Sequence, residues 1–132
     1  MSKNVYNSIF QKMKQIGIID ANGVMQHSYF KFTCEGLMDL NVDNLLQNRI
    51  ALAHNGIQNG DVMADPDVEV QVYPEKQEAE PLSFQNDYLG IYQQVYDDGK
   101  CNVRLKKDIA IFVDDWLSNI INCEYKLIEK ED

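Results

Sequence analysis

Near the C-terminus, Leu105, Ile109, Phe112, Val113, Trp116, Leu117, Ile120 and Ile121 recur at three- and four-residue spacing. That stripe spans more than four turns of helix, and Asn102 stands where an N-cap falls. Each large apolar side chain gains roughly 1.5–3 kcal/mol on burial, so the helix must lie against another layer. The chain can fold only as a layered body with this helix as one wall.

A second, shorter stripe opens the sequence. Val5, Ile9, Met13 and Ile16 share a helical face, Tyr6 and Phe10 widen it, and Gly17 follows at a C-cap position. The spacing predicts a helix over 3–16, and "DANG" at 20–23 predicts a turn after it.

Between the helices the period changes to two. Phe30, Phe32 and Cys34 alternate with Tyr29, Lys31 and Thr33, and Met38, Leu40 and Val42 alternate with Asp39 and Asn41. Ile50, Leu52 and His54 share a third strand face, while "DNLLQN" reads as a loop or a turn of helix. Val68, Val70 and Val72 against Asp67, Glu69 and Gln71 form the clearest strand. "PEKQEAEP" at 74–81 reads as an exposed loop, and residues 84–96 as one long strand ending in the "DDG" turn.

These elements predict an α+β fold as a single domain over 1–132. Four to five antiparallel strands form a meander, with the N-terminal and the long C-terminal helix covering one face. The opposite face is left for a partner or ligand.

Charge narrows the partners. Twenty-one acidic residues oppose 12 basic ones, for a net charge of −9, so direct nucleic-acid binding is not expected. The imbalance is local: residues 1–60 carry +1 and residues 61–132 carry −10. No apolar run is long enough to span a membrane, and residues 1–17 lack a signal-peptide block. Cys34, Cys101 and Cys123 have no metal-type spacing and suit a reducing cytosol as free thiols, so a cytoplasmic location is expected.

One segment concentrates chemistry. Ala53 to Val72 carries His54, Asn55, Gln58, Asn59, Asp61, Asp65, Asp67 and Glu69, and Asn59 with Gly60 suits a tight turn. Three readings compete. The carboxylates offer oxygen ligands to a divalent cation, although the calcium-loop signature is missing. His54 paired with Asp61 or Asp65 offers a general base, although neither a nucleophile nor a phosphate-cradling glycine loop accompanies it. The third reading, which the pattern favours, makes Asp61 and Asp65 turn caps and His54 a hydrogen-bonded residue at the sheet edge.

The run "NGDVMADP" after a strand bearing "AH", followed by "QNDYLGIYQQVY" and "RLKKDIAIFVDDWL", resembles an uncharacterised family. That family is a domain of unknown function in bacterial, phage and mobile-element proteins. His54, Asn59, Gly60, Asp61, Met63, Asp65, Pro66 and Asp67 match its pattern one by one, and the resemblance covers residues 48–121. It implies a shared fold and a mobile-element setting, and carries no mechanism.

Tyr88, Tyr92 and Tyr96 would share one face of a single strand, as ring cover for the sheet or as a binding surface. Arg104, Lys106 and Lys107 crowd the positive end of the second helix, where a bound anion or a neighbouring carboxylate would compensate them, and the pattern favours a solvated cluster paired with nearby acids. Asp114, Asp115 and the terminal "EKED" read as solvated charge.

The expected function is a non-enzymatic, acidic domain that binds another macromolecule, in the first instance a protein. Mimicry of nucleic acid is its sharper variant, and the candidate binding residues are His54, Asn59, Asp61, Asp65, Asp67, Glu69, Tyr88 and Tyr92. The alternative is a metal-binding or hydrolytic site centred on His54, Asp61 and Asp65. No cofactor is expected, and a homodimer through an exposed strand edge is compatible with the pattern.

Overall fold

Asn4 sets the start of the first helix, its side-chain oxygen accepting from the Asn7 amide at 2.8 Å in a computed structural model that describes residues 4–58 and 60–132. Helix α1 runs Val5–Ile16 and ends at Gly17, whose φ of 97° turns the chain away. Ile9, Phe10 and Met13 are buried along it. The turn at 20–23 forms as expected, with Asp20 Oδ1 accepting from the Asn22 and Val24 amides.

Four strands follow in antiparallel sequence: β1 (Tyr29–Thr33), β2 (Leu40–Leu46), β3 (Arg49–Gln58) and β4 (Asp61–Tyr73). Phe30, Phe32, Leu40, Val42, Ile50, Leu52, Val68, Val70 and Val72 are the buried members of the alternation and define the inner sheet face. The "DNLLQN" segment is mostly strand, with the turn confined to its end.

Strand β4 is long, and two strands share its far edge. β5 (Glu78–Pro81) pairs with its second half, and β6 (Ser83–Asn86) with its first. β7 (Ile91–Gln94) completes a hairpin with β6, and β8 (Tyr96–Asp97) with β9 (Lys100–Cys101) forms a small separate ribbon.

Asn102 then caps helix α2 (Val103–Asn122) through the Leu105 amide at 3.0 Å. The helix buries Ile109, Ala110, Val113, Trp116, Leu117 and Ile120 against the inner face. Both helices lie in that layer, joined where Asp114 Oδ1 accepts from Ser8 Oγ at 2.6 Å and pairs with Lys12 Nζ at 2.8 Å. Finally β10 (Lys126–Glu131) returns to pair with β1.

The α+β class holds, and the strand count is larger than the sequence predicts, for identifiable reasons. Residues 74–81 are not an exposed loop: after a short 3-10 turn at Pro74–Lys76, Ala79, Glu80 and Pro81 are buried in β5. The predicted single strand over 84–96 is a hairpin turning at 87–90, with Gly90 at φ 65°. The terminal "EKED" is largely β10, an edge strand whose residues are all exposed, so burial leaves no pattern in it. Asp114 is an interhelical link rather than solvated charge. β4 already begins at Asp61, so Asp65 and Asp67 lie within a strand and not in a loop. Pro66 is accommodated at a register shift, where its missing N–H interrupts no ladder bond.

Gly56 marks a close approach. A Cβ there would collide with the Tyr88 hydroxyl and lie 3.2 Å from Met38. Gly56→Ala is therefore expected to destabilise the fold by about 1–3 kcal/mol and to shift the Tyr88 ring resonances, read by urea unfolding and NMR.

Candidate functional site

The helices cover the inner face and leave the outer one open, so the outward members of the strand alternation form its surface. Register fixes their order. Across the sheet, Tyr29, Asp43, Ala51 and Glu69 stand in one row, and Lys31, Asn41, Ala53, Asp67, Gln85 and Tyr92 in the next.

Ala51 and Ala53 therefore form the low line of a trough along β3, with Ala53 only 5% exposed beneath its neighbours. Asp43 and Asn41 wall it on β2, and Glu69 and Asp67 on β4. Two strand spacings make it about 10 Å wide. Tyr29 steadies the near wall by donating to Asn41 Oδ1 at 2.5 Å.

Among the described residues no ion pair within 4 Å reaches Asp43, Asp67 or Glu69, although Arg49 lines the same cleft as Glu69. Burial raises the Asp67 carboxyl above its usual range, and Glu69, Asp43 and Asp87 push it further in the same direction. Burial likewise raises Asp43. Arg49 lies at one margin with its guanidinium directed to Gln71 at 3.4 Å, and Lys31 lies across from Glu129 at another.

A carboxyl whose folded pKa exceeds its unfolded one weakens the fold at pH values above the folded pKa, and that penalty fades as pH falls toward the unfolded value. Asp67→Asn is accordingly expected to raise stability at neutral pH but not at acid pH, so that the fall in stability on acidification becomes larger, measured by thermal unfolding from acid to neutral pH.

Beside Glu69 the trough opens into a cleft of about 400 Å³ lined by Gln71, Tyr73, Tyr92, Gln94 and Tyr96, among others. Its lower end rests on a buried carboxylate. Glu80 accepts from Tyr96 Oη at 2.5 Å and from Tyr73 Oη at 3.3 Å, and Lys106 Nζ lies 3.5 Å away. This is the carboxylate the basic start of α2 calls for, and Asp108 supplies a weaker one to Arg104 at 3.9 Å.

The residues singled out from the sequence separate into different environments. Asp67 and Glu69 wall the trough and Tyr92 lines the cleft. Tyr88 does not share their face, since its hydroxyl lies against Gly56. Asp65 Oδ1 accepts from Asn86 Nδ2 at 2.9 Å across the strands instead of capping its own turn. Asp61 is exposed at the hairpin end, and Asn59 lies outside the described residues.

His54 faces the opposite way, into the helical layer. Its Nε2 accepts from Trp116 Nε1 at 2.8 Å, which places its proton on Nδ1, and Nδ1 donates to the Asp39 carbonyl at 2.9 Å. Both nitrogens are occupied, leaving none to take a proton from a substrate. Among the described residues, no three His, Cys, Asp or Glu side chains gather to hold a metal ion.

Asp43, Ala51, Ala53 and the cleft tyrosine Tyr73 escape sequence reasoning. The available signal is the Ala-x-Ala spacing at 51–53, small residues on the face where neighbouring strands carry acids.

The class is thus an α+β domain with two helices on one sheet face and an open, acid-walled trough on the other. Residues 6–125 match the family described as Domain of unknown function (DUF6908), and the chain belongs to it. Membership extends across most of the first 47 residues, which the resemblance at 48–121 leaves out. No curated protein and no solved structure matches the chain. Among the described residues, no helix is long and apolar enough to cross a membrane.

Proposed function

We propose that this domain binds a basic polypeptide, whose lysine or arginine side chains enter the trough over Ala51 and Ala53. The observation that carries this reading is the pair of carboxylate walls, Asp43 facing Glu69 across Ala51, with Asp67 beside them. Asp67, whose ionisation is opposed by burial and by its acidic neighbours, is relieved by an incoming cation, and the small residues of β3 leave room beside it for an extended side chain. The adjoining cleft takes the residue next to the cation, against Tyr73, Tyr92 and Tyr96, ring types that are enriched at protein interfaces.

The reading is preferred to the hydrolytic alternative because His54 is hydrogen-bonded to Trp116 and Asp39. A synthetic lysine- and arginine-rich peptide titrated into labelled protein tests it. Amide shifts are expected at Asp43, Ala51, Ala53, Asp67 and Glu69, weakening as salt is added. Shifts spread evenly over every acidic surface, or absent from β3, would overturn it.

A further inference from the structure

The sheet path ends at two edges of opposite character. At one end β10 carries Lys126, Glu129, Lys130 and Glu131, charges that discourage another strand from pairing. At the other end lies β7, inside the run Tyr88–Tyr96 (YLGIYQQVY), which holds no charged residue.

The hydrogen-bond phase of β7 follows from its neighbours. The Val95 amide donates to the Leu82 carbonyl and the Asp87 amide to Ala64, so Ile91 and Gln93 turn their backbone groups toward β6. Tyr92 and Gln94 therefore turn theirs outward, and among the described residues no backbone or side-chain group bonds to them.

We infer that β7 pairs antiparallel with β7 of a second copy of this chain, on a two-fold axis through Gln93. The occupant is selected by charge and by register. The chain carries −9 overall, so two copies repel unless they meet where charge is missing, and this is the sheet edge without it. The register is self-complementary: Tyr92 of each copy exchanges both backbone bonds with Gln94 of the other, which brings the two Gln93 side chains face to face.

The axis also brings exposed apolar surface to the seam. Gln93 borders a groove of about 260 Å³ lined by Phe84, Leu105, Ile109 and Phe112, with Asp108, 3.9 Å from Arg104, as its one charged member, and Phe112 is 40% exposed. Antiparallel pairing sets Ile91 of the second copy opposite Val95, on the side of this groove.

Cysteine cross-linking tests the register. In the full chain with Cys34, Cys101 and Cys123 changed to serine, Gln93→Cys is expected to form an intermolecular disulfide on mild oxidation. Directly opposed, non-bonded antiparallel positions lie about 4.5 Å apart between Cα atoms, within disulfide range. Gln94→Cys, offset from its own mate, is expected not to. With the native cysteines, Gln93→Lys sets two like charges opposite each other. In sedimentation experiments it is expected to move the monomer–dimer midpoint to at least about fivefold higher concentration. A parent chain that stays monomeric at every concentration, or equal cross-linking at 93 and 94, would overturn the inference.

Discussion

His54→Phe is expected to destabilise the protein by about 3 kcal/mol and to shift the emission of the single tryptophan. The phenyl ring preserves volume and aromatic packing beside Trp116, whose ring centroid lies 5.1 Å from that of His54. It cannot accept from the indole N–H or donate to the Asp39 carbonyl, so two polar groups lose their partners inside the structure at once. Trp116 is itself only 7% exposed, which denies its N–H an easy exchange to water. His54→Gln, with both a donor and an acceptor, is expected to recover part of the loss. Denaturant unfolding followed by tryptophan emission measures both variants, and equal stability of the phenylalanine variant and the parent would show the bridge to be without weight.

Glu80→Ala is the second large effect. The side chain is 9% exposed and holds Tyr73, Tyr96 and Lys106 together where β5 meets the start of α2. Removing it strands a half-covered ammonium and two phenols, at a cost of about 2–3 kcal/mol. The same change has a spectroscopic signature. The hydrogen bond to Glu80, reinforced by burial, pushes the Tyr96 phenol up to about 12 from its ordinary 10.0. Because the unfolded phenol ionises first, this group's contribution to stability is complete below pH 10 and is lost as pH rises toward 12. In the variant, ultraviolet titration should show the highest tyrosine step moving down, and alkaline unfolding should lose that component.

Burial explains what is legible in the sequence. The stripes of α1 and α2 and the Val68, Val70, Val72 alternation are written in side chains because each must reach the same core. β10 and β5 are specified differently. The first is held by backbone pairing with β1 and buries no side chain, and the second buries an alanine, a proline and a glutamate whose partners come from elsewhere in the chain. The turn at 87–90 is concealed because Tyr88, Tyr92 and Tyr96 keep strand-like composition through it.

The candidate site divides in the same way. Asp67 and Glu69 announce themselves by alternating with buried valines. The trough they wall needs Asp43 from β2 and the two alanines of β3, and only inter-strand register brings those together. His54 is conspicuous as a lone titratable residue, yet its role is set by Trp116, 62 positions away. Spacing within one segment holds no trace of that partner.

Charge-matched calorimetry separates a built site from bulk acidity. The parent chain, Asp67→Asn with Glu69→Gln, and Asp97→Asn with Asp98→Asn at the exposed β8–β9 turn are each titrated with the same lysine- and arginine-rich peptide. Both double variants remove two negative charges. The trough variant is expected to bind at least about tenfold more weakly, and the turn variant to match the parent. Equal losses in the two would contradict the account and reduce the trough to one part of a uniformly acidic surface.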